Sequence, residues 1–570
     1  MMKYFILVGF VQGVCLLLLD EIIRNEETWL THPDLIYPAY SLVVLIPMIG
    51  LLTYHLTTHS KLAKALLGAA FFFVVLTGYS GYLALPISSQ TFPNIFVVGL
   101  SMWAFMFVGL PFLQSYFRHK KLRLPYEDLY EFGWLNTQVF ILALMFVGLV
   151  WSLLSLWAAL FELLHITLFS DLFFDRYFAY PATCIMATYG AHLGLEKFNI
   201  STIQRTDFLF RAVTVLLSVM TILFLLALLV SGLEPLWDTR NATFLLLWLQ
   251  VFTVLFVNGM FQHGYQGRKE SSVVRWAVTL QLITMPMISL ICLYAMYLRV
   301  EQYGWTEDRV WAVLFIVLLA TYAMGYFIAA VRGVLHKGEW LALVAPTNVI
   351  AALFILMLII LTHSPLLSPV KISVSSQIAR LMEGEVKAAD FDYRYLRFRS
   401  GQVGLDNLQV LSTIKNHAEA DEIQRLSKEA LKLKHARGEA QVVSFEESKT
   451  IFGVYPKGHE TTEDMYQFLY TIKEEYPYRG CYYQQQKCSL LFIDLNNDGT
   501  EELVVFDSNR PFALMESKGK GWRHVADFRW GKPTLGRIEE LLNKDGAEAI
   551  EHEWKQLKIG ENIWGIEKFR

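Results

Sequence analysis

Charge is what this 570-residue chain has least of: Asp, Glu, Lys and Arg make up 18% of it against 54% hydrophobic residues, and the mean hydropathy is +0.37. That balance excludes an ordinary soluble globular protein. The charge present is crowded into the last third of the sequence and forms no basic stripe, so nucleic acid is not an expected partner. Motifs of common chemistry are equally missing: there is no Gly-rich nucleotide loop, no zinc spacing and no nucleophile motif. Carboxylates and histidines are scarce near the centres of the apolar runs, where proton- or sodium-coupled carriers need them. Cysteine is rare. Cys15, Cys184 and Cys292 lie in apolar runs as small apolar side chains, whereas Cys481 and Cys488 fall in the polar C-terminal part and are expected to pair if that part meets an oxidising compartment.

What the chain does have is long apolar runs. A bilayer core of roughly 30 Å takes about 20 residues of helix, and about eleven such runs follow one another between residues 4 and 362, one of them at 177–196. Lys3 precedes the first, but no small-residue cleavage site follows and Asp20-Glu21 ends it, so it is expected to stay as a helix. The expected fold is an α-helical polytopic membrane protein of about 11 transmembrane helices, its main partner the lipid bilayer. With the N-terminus in the cytoplasm, the inside segments carry fifteen Lys and Arg and the outside loops five. An odd number of crossings then puts the C-terminus outside, in the periplasm of a diderm bacterium.

Polar residues within the runs, Gln12, His192, Gln250, Asn258, Gln281 and Asn348, are expected to hydrogen-bond between helices. Of these, His192, Asn258 and Asn348 would line a cavity if the chain were a transporter or a lipid-handling protein. Asp20 and Glu21, just past the first helix, fit a further alternative, a polyprenyl-sugar-dependent membrane glycosyltransferase, although the short outside loops leave little protein to bind a sugar donor. The polar hairpin at 299–309 breaks the charge bias. Its Arg299, Tyr303, Trp305 and Arg309 are expected to dock the bundle to the soluble part, with the arginines paired to Glu301, Glu307 or Asp308, or to the soluble part itself.

Three regions are expected: a helix bundle at 1–365, a helical connector at 366–440 and a periplasmic α+β domain at 441–570. The two prolines of His363-Ser364-Pro365-Leu366-Leu367-Ser368-Pro369 predict an extended stem, and helical spacing predicts one helix near 405–438. Asp494-Leu495-Asn496-Asn497-Asp498-Gly499-Thr500-Glu501-Glu502 sits between two apolar strands. Asp494, Asn496, Asp498 and Glu502, with the Thr500 carbonyl, can converge on one hard cation, calcium being the expected cofactor. The same residues also suit a plain β-turn. Further strands are expected at 512–516 and 522–529, a helix at 534–557 and a last strand near 561–569.

Several spaced segments carry a resemblance: Val11-Gln12-Gly13; Trp157 to Phe161 with Leu172-Phe173; Pro235-Leu236-Trp237 with Asn258; Tyr303-Gly304-Trp305-Thr306 with Arg309; Ser364-Pro365 through Gln377, Arg380 and Leu381; and Phe391-Asp392-Tyr393. Over residues 4–410 the chain resembles a family of bacterial integral membrane proteins known as a domain of unknown function. The resemblance implies fold and location and supplies no catalytic residues. The expected function is that of a non-enzymatic integral protein of the inner (cytoplasmic) membrane, displaying a periplasmic sensing or docking domain to a protein of the bacterial envelope.

Overall fold

The computed structural model describes residues 2–24, 32–84, 95–120, 125–164, 167–197, 207–232, 242–262, 271–336 and 340–433, with shorter pieces between 445 and 568. The chain divides into two compact units, Met1–Lys432 and Leu433–Arg570. Residues 366–432 of the expected connector therefore belong with the bundle.

The first unit begins with α1 (Met2–Arg24), α2 (Pro33–Thr53), α3 (His59–Leu83), α4 (Ile95–His119), α5 (Tyr126–Glu162), the short α6 (Leu168–Phe174) and α7 (Arg176–Lys197). It continues with α8 (Asp207–Ser231), α9 (Ala242–Phe261), α10 (Ser272–Tyr303), α11 (Glu307–Leu335) and α12 (Val344–Thr362). Among the described residues, ten helices are long and apolar enough to cross a membrane, namely all of these except α6 and α7. The chain is a polytopic helical membrane protein. Large apolar side chains stand outward on these helices, as Val230 at 90% exposure and Leu229 at 76% do on α8, because their solvent is hydrocarbon.

At 22 residues α7 is long enough to cross but less apolar, and its packing gives the reason. It runs antiparallel to α1. Arg176 pairs with Asp20 and Glu21 at 3.5 and 2.9 Å, a Cβ on Gly13 would fall 2.4 Å from the Cα of Pro181, one on Gly9 would fall 2.3 Å from Thr188 Oγ1, and the Phe5 and His192 rings meet at a tilt with centroids 5.1 Å apart. From Arg176 to His192 this pairing follows about 24 Å of helix at 1.5 Å per residue. On another side Gly190 and Gly194 lie against Ala143 and Val139 of α5, where Cβ atoms would approach their Cα atoms to 2.9 and 3.1 Å. Gly9-x3-Gly13 and Gly190-x3-Gly194 are small-residue stripes that let helix backbones touch. A helix wrapped in protein needs few large apolar side chains, so α7 accompanies α1 through the same depth without their help.

Polar side chains join the helices at several depths. Gln12 donates to Val43 O at 3.0 Å, Gln250 to Met285 O and Ser289 Oγ at 3.1 and 2.9 Å, and Gln281 to Thr253 Oγ1 at 2.7 Å. Each satisfies a group that hydrocarbon would leave unsolvated.

After α12 the expected extended stem is replaced by a tight turn in which Leu367 N–H donates to Leu361 O at 3.2 Å. The prolines do end the helix, but Pro369 also opens the next one, where its missing N–H costs nothing. Four helices follow: α13 (Pro369–Met382), α14 (Tyr393–Phe398), α15 (Gly401–Leu411) and α16 (Ala420–Lys432). Val374, Leu381, Leu396, Leu408 and Ile423 form their common core. The single helix expected at 405–438 is thus two, broken where Glu419 turns back to accept from Ala388 N–H at 2.6 Å and the His417 ring meets Leu381 O at 3.1 Å. We call residues 369–432 the cap.

The second unit is α+β, as expected. A six-stranded sheet is ordered β1 (Phe452–Tyr455), β2 (Cys488–Ile493), β3 (Glu502–Asp507), β4 (Pro511–Lys518), β5 (Gly521–Phe528) and β9 (Ile566–Lys568), and all its neighbours are antiparallel except β1 and β2. Helix α17 (Glu463–Thr471) covers one face, packing Met465 and Leu469 on Leu490, Phe492, Leu503 and Val505. Leu491, Val504, Phe506 and Leu514 on the other face pack with Leu542 and Leu557. Burial on both faces is why β2 and β3 read as unbroken apolar runs. The expected helix at 534–557 is overturned from residue 547 on, where β7 (Gln556–Ile559) pairs with β6 (Ala547–Ile550) on one side and β8 (Asn562–Trp564) on the other in a second sheet. Ala and Glu favour helix locally, but the alternation Gln556-Leu557-Lys558-Ile559 buries Leu557 completely, and that period-two pattern decides.

Candidate functional site

Where the cap meets the bundle, the structure forms a small, partly open pocket of about 60 Å³. Its floor is apolar, with Leu83, Val97, Val98 and Trp311. Its wall is polar, with Ser80, His363, Ser368, Ser400, Glu307 and Arg399. His363 follows the last residue of α12 and is 5% exposed. Its Nδ1 lies 2.9 Å from Ser80 Oγ, which also donates to Leu76 O at 2.9 Å, and its ring sits 6.0 Å from that of Trp311. Burial pushes the imidazole down to about 4, so at neutral pH it is uncharged. Neither His363 Nε2 nor Ser368 Oγ has a hydrogen-bond partner among the described residues, and both atoms are buried. Arg399 is exposed and forms no ion pair among them. The sequence hid this site: its residues come from six helices and their ends, and His363 stood inside what read as a proline stem.

Two glycines seat the cap on the bundle. Gly401 has φ +54°, and a Cβ there would lie 1.8 Å from Leu83 O at the end of α3, so no side chain fits. Gly304 has φ +72°, and its Cβ would meet Arg380 Cδ at 2.7 Å. Around it the 299–309 hairpin is held by side chains of α13. Ser376 accepts from Trp305 N–H at 3.0 Å, Gln377 donates to the Trp305 and Tyr303 carbonyls at 2.8 and 3.2 Å, and Arg380 donates to Gln302 O at 3.0 Å. Arg309 is held by carbonyls rather than by the acidic residues expected for it, donating to Gly304 O at 2.6 Å and Tyr303 O at 3.3 Å, with its guanidinium 5.4 Å from the Tyr303 ring. The hairpin is therefore a seat for the cap, built largely from its own backbone.

The residues expected to share a cavity separate. Asn258 and Asn348 meet in one node, where Tyr326 Oη lies 3.1 and 2.6 Å from their Oδ1 atoms and Asn348 Nδ2 donates to Tyr126 Oη at 2.8 Å and Asn258 Oδ1 at 2.6 Å. Tyr326 is fully buried there among tightly packed helices. His192 lies elsewhere, on α7, 3.3 Å from Glu196 and against the Phe5 ring. Asp20 and Glu21, the carboxylates considered for sugar transfer, are engaged by Arg24 and Arg176.

In the second unit Asp494, Asp498 and Glu502 bring carboxylate oxygens within 4.8 Å of one another. The same oxygens serve the loop's own backbone. Asp494 accepts from Gly499 N–H at 3.1 Å, Asp498 from Thr500 N–H at 2.8 Å, and the 1%-exposed Glu502 from Leu495 N–H at 2.7 Å. Asn496 Oδ1 accepts from Asp498 N–H at 2.8 Å, while Thr500 is exposed. The donor set, three carboxylates and an amide oxygen, has the hard-oxygen chemistry of a calcium site, and Gly499 at φ +83° makes the turn that gathers it. Cys488, at the start of β2, is disulfide-bonded; Cys481 lies outside the described residues.

No curated protein and no solved structure matches the chain. A family model does: the domain of unknown function (DUF4153) aligns with residues 44–414, nearly two thirds of the sequence, from within α2 through α15 and so across both glycine seats and the pocket, and the chain belongs to that family.

Proposed function

We propose that this integral membrane protein is a non-enzymatic component of a bacterial inner membrane that holds its cap and C-terminal unit in the periplasm as a sensing or docking element for an envelope partner. The observation that carries the reading is the antiparallel pairing of α7 with α1 from Arg176 to His192, which makes the number of crossings odd. The cap then lies on the face opposite the N-terminus, and the excess of Lys and Arg on the N-terminal side makes that side cytoplasmic. The engagement of Asp20 and Glu21 by arginines, and the separation of His192 from the asparagine node, weigh against the glycosyltransferase and transporter alternatives. Alkaline phosphatase fused after residue 370 is expected to be active; activity of a cytoplasmic reporter at that point would overturn the orientation and with it the periplasmic role.

Within this reading the 494–502 loop holds calcium, which is plentiful outside the cell. Millimolar calcium is expected to raise the melting temperature of the full chain, and Asp498→Asn to abolish the rise. An equal melting temperature with calcium or chelator would leave the loop a turn held by its own amides.

A further inference from the structure

The pocket beneath the cap is a meeting of helix ends. α11 enters it at Glu307, α13 at Ser368 and Pro369, α15 at Ser400 and Gly401, and α4 begins just below Val97 and Val98. Helix N-termini present unpaired N–H groups and partial positive charge. Opposing them are the carbonyl ends of α3 and α12 and the Glu307 carboxylate; adding to them is Arg399. Independently of these dipoles, two buried polar atoms on the wall, His363 Nε2 and Ser368 Oγ, lack partners among the described residues, and an unpartnered buried polar group is costly unless something fills the site. The floor of Leu83, Val97, Val98 and Trp311 is apolar and lies where transmembrane helices begin and end, the level of lipid headgroups.

We infer that this pocket binds the phosphate of an anionic membrane lipid, with Arg399 and the N-termini of α13 and α15 facing the phosphate, the Ser368 hydroxyl donating to it and the apolar floor receiving the start of the acyl chains. The apolar floor, set where spanning helices begin and end, favours a lipid over a soluble phosphate ester, whose headgroup chemistry is the same. The inference stands whichever side of the membrane the cap faces.

The test is native mass spectrometry of the detergent-solubilised full chain titrated with phosphatidylglycerol, phosphatidylcholine or inorganic phosphate. One phosphatidylglycerol per chain is expected to be retained in preference to phosphatidylcholine. Arg399→Gln, at an exposed position, is expected to weaken retention about tenfold and Glu307→Gln to strengthen it, each with an unchanged melting temperature in detergent alone. Equal retention of phosphatidylglycerol by the wild type and Arg399→Gln, or no preference over phosphatidylcholine, would overturn the site. Displacement of the lipid by millimolar inorganic phosphate would overturn the assignment to a lipid.

Discussion

α7 and α8 follow each other in the chain, have similar lengths and differ in almost everything else. α8 carries Leu216, Leu223, Leu226, Leu229 and Val230 on an exposed surface, and hydropathy alone marks it as a span. α7 carries Gly190, Gly194, Thr188 and His192 against α1 and α5 and falls short of the same criterion. Hydropathy therefore reports which helices face lipid, and a helix surrounded by protein can cross without announcing it. Because α7 fixes whether the crossings are odd or even, the less apolar of the two helices decides where the cap stands.

The largest expected effect is all-or-none. If α7 crosses, cysteines placed at Thr167 and Lys197 face opposite sides, and a membrane-impermeant thiol reagent applied to intact cells labels only the first; labelling of both, or of neither, would remove α7 from the spans. Next comes Gly13→Leu on α1, where a side chain must displace the backbone of Pro181 rather than a flexible group. A loss of about 3 kcal/mol is expected from such overpacking, read as a lower melting temperature and a broadened size-exclusion peak. Gly190→Leu against Ala143 starts from a looser 2.9 Å approach and is expected to cost about 2 kcal/mol. Smallest is Leu223→Ala on the lipid face of α8, expected to stay within about 0.5 kcal/mol because hydrocarbon replaces what is removed. A Leu223→Ala variant as damaged as Gly13→Leu would erase the distinction between the two helices.

Most of the bundle was legible because lipid imposes a simple rule, and residues 177–196 were legible as an apolar run although not as a protein-wrapped one. The two Gly-x3-Gly stripes were the available signal for that. The carboxylate loop was legible from Asp494 to Glu502 because its ligand types lie within nine residues. The pocket was not, since Ser80, Glu307, His363 and Arg399 are brought together only by the packing of helix ends. The hairpin was marked by its charges, yet what fastens it is mostly carbonyl groups of Gln302, Tyr303, Gly304 and Trp305, which no composition reveals. Residues 547–559 misled because Ala, Glu and Lys suit a helix in isolation, and only the partner strands make their alternation count.

The two glycine seats join parts of the bundle that are far apart in the chain: Gly401 rests on the end of α3, and the Gly304 hairpin, joining α10 to α11, is gripped by α13. The cap is thus riveted at both points. Any mechanism that rocks the early helices against the late ones would have to shear this rivet in every cycle, whereas a force applied to the cap passes directly into both groups of helices at once.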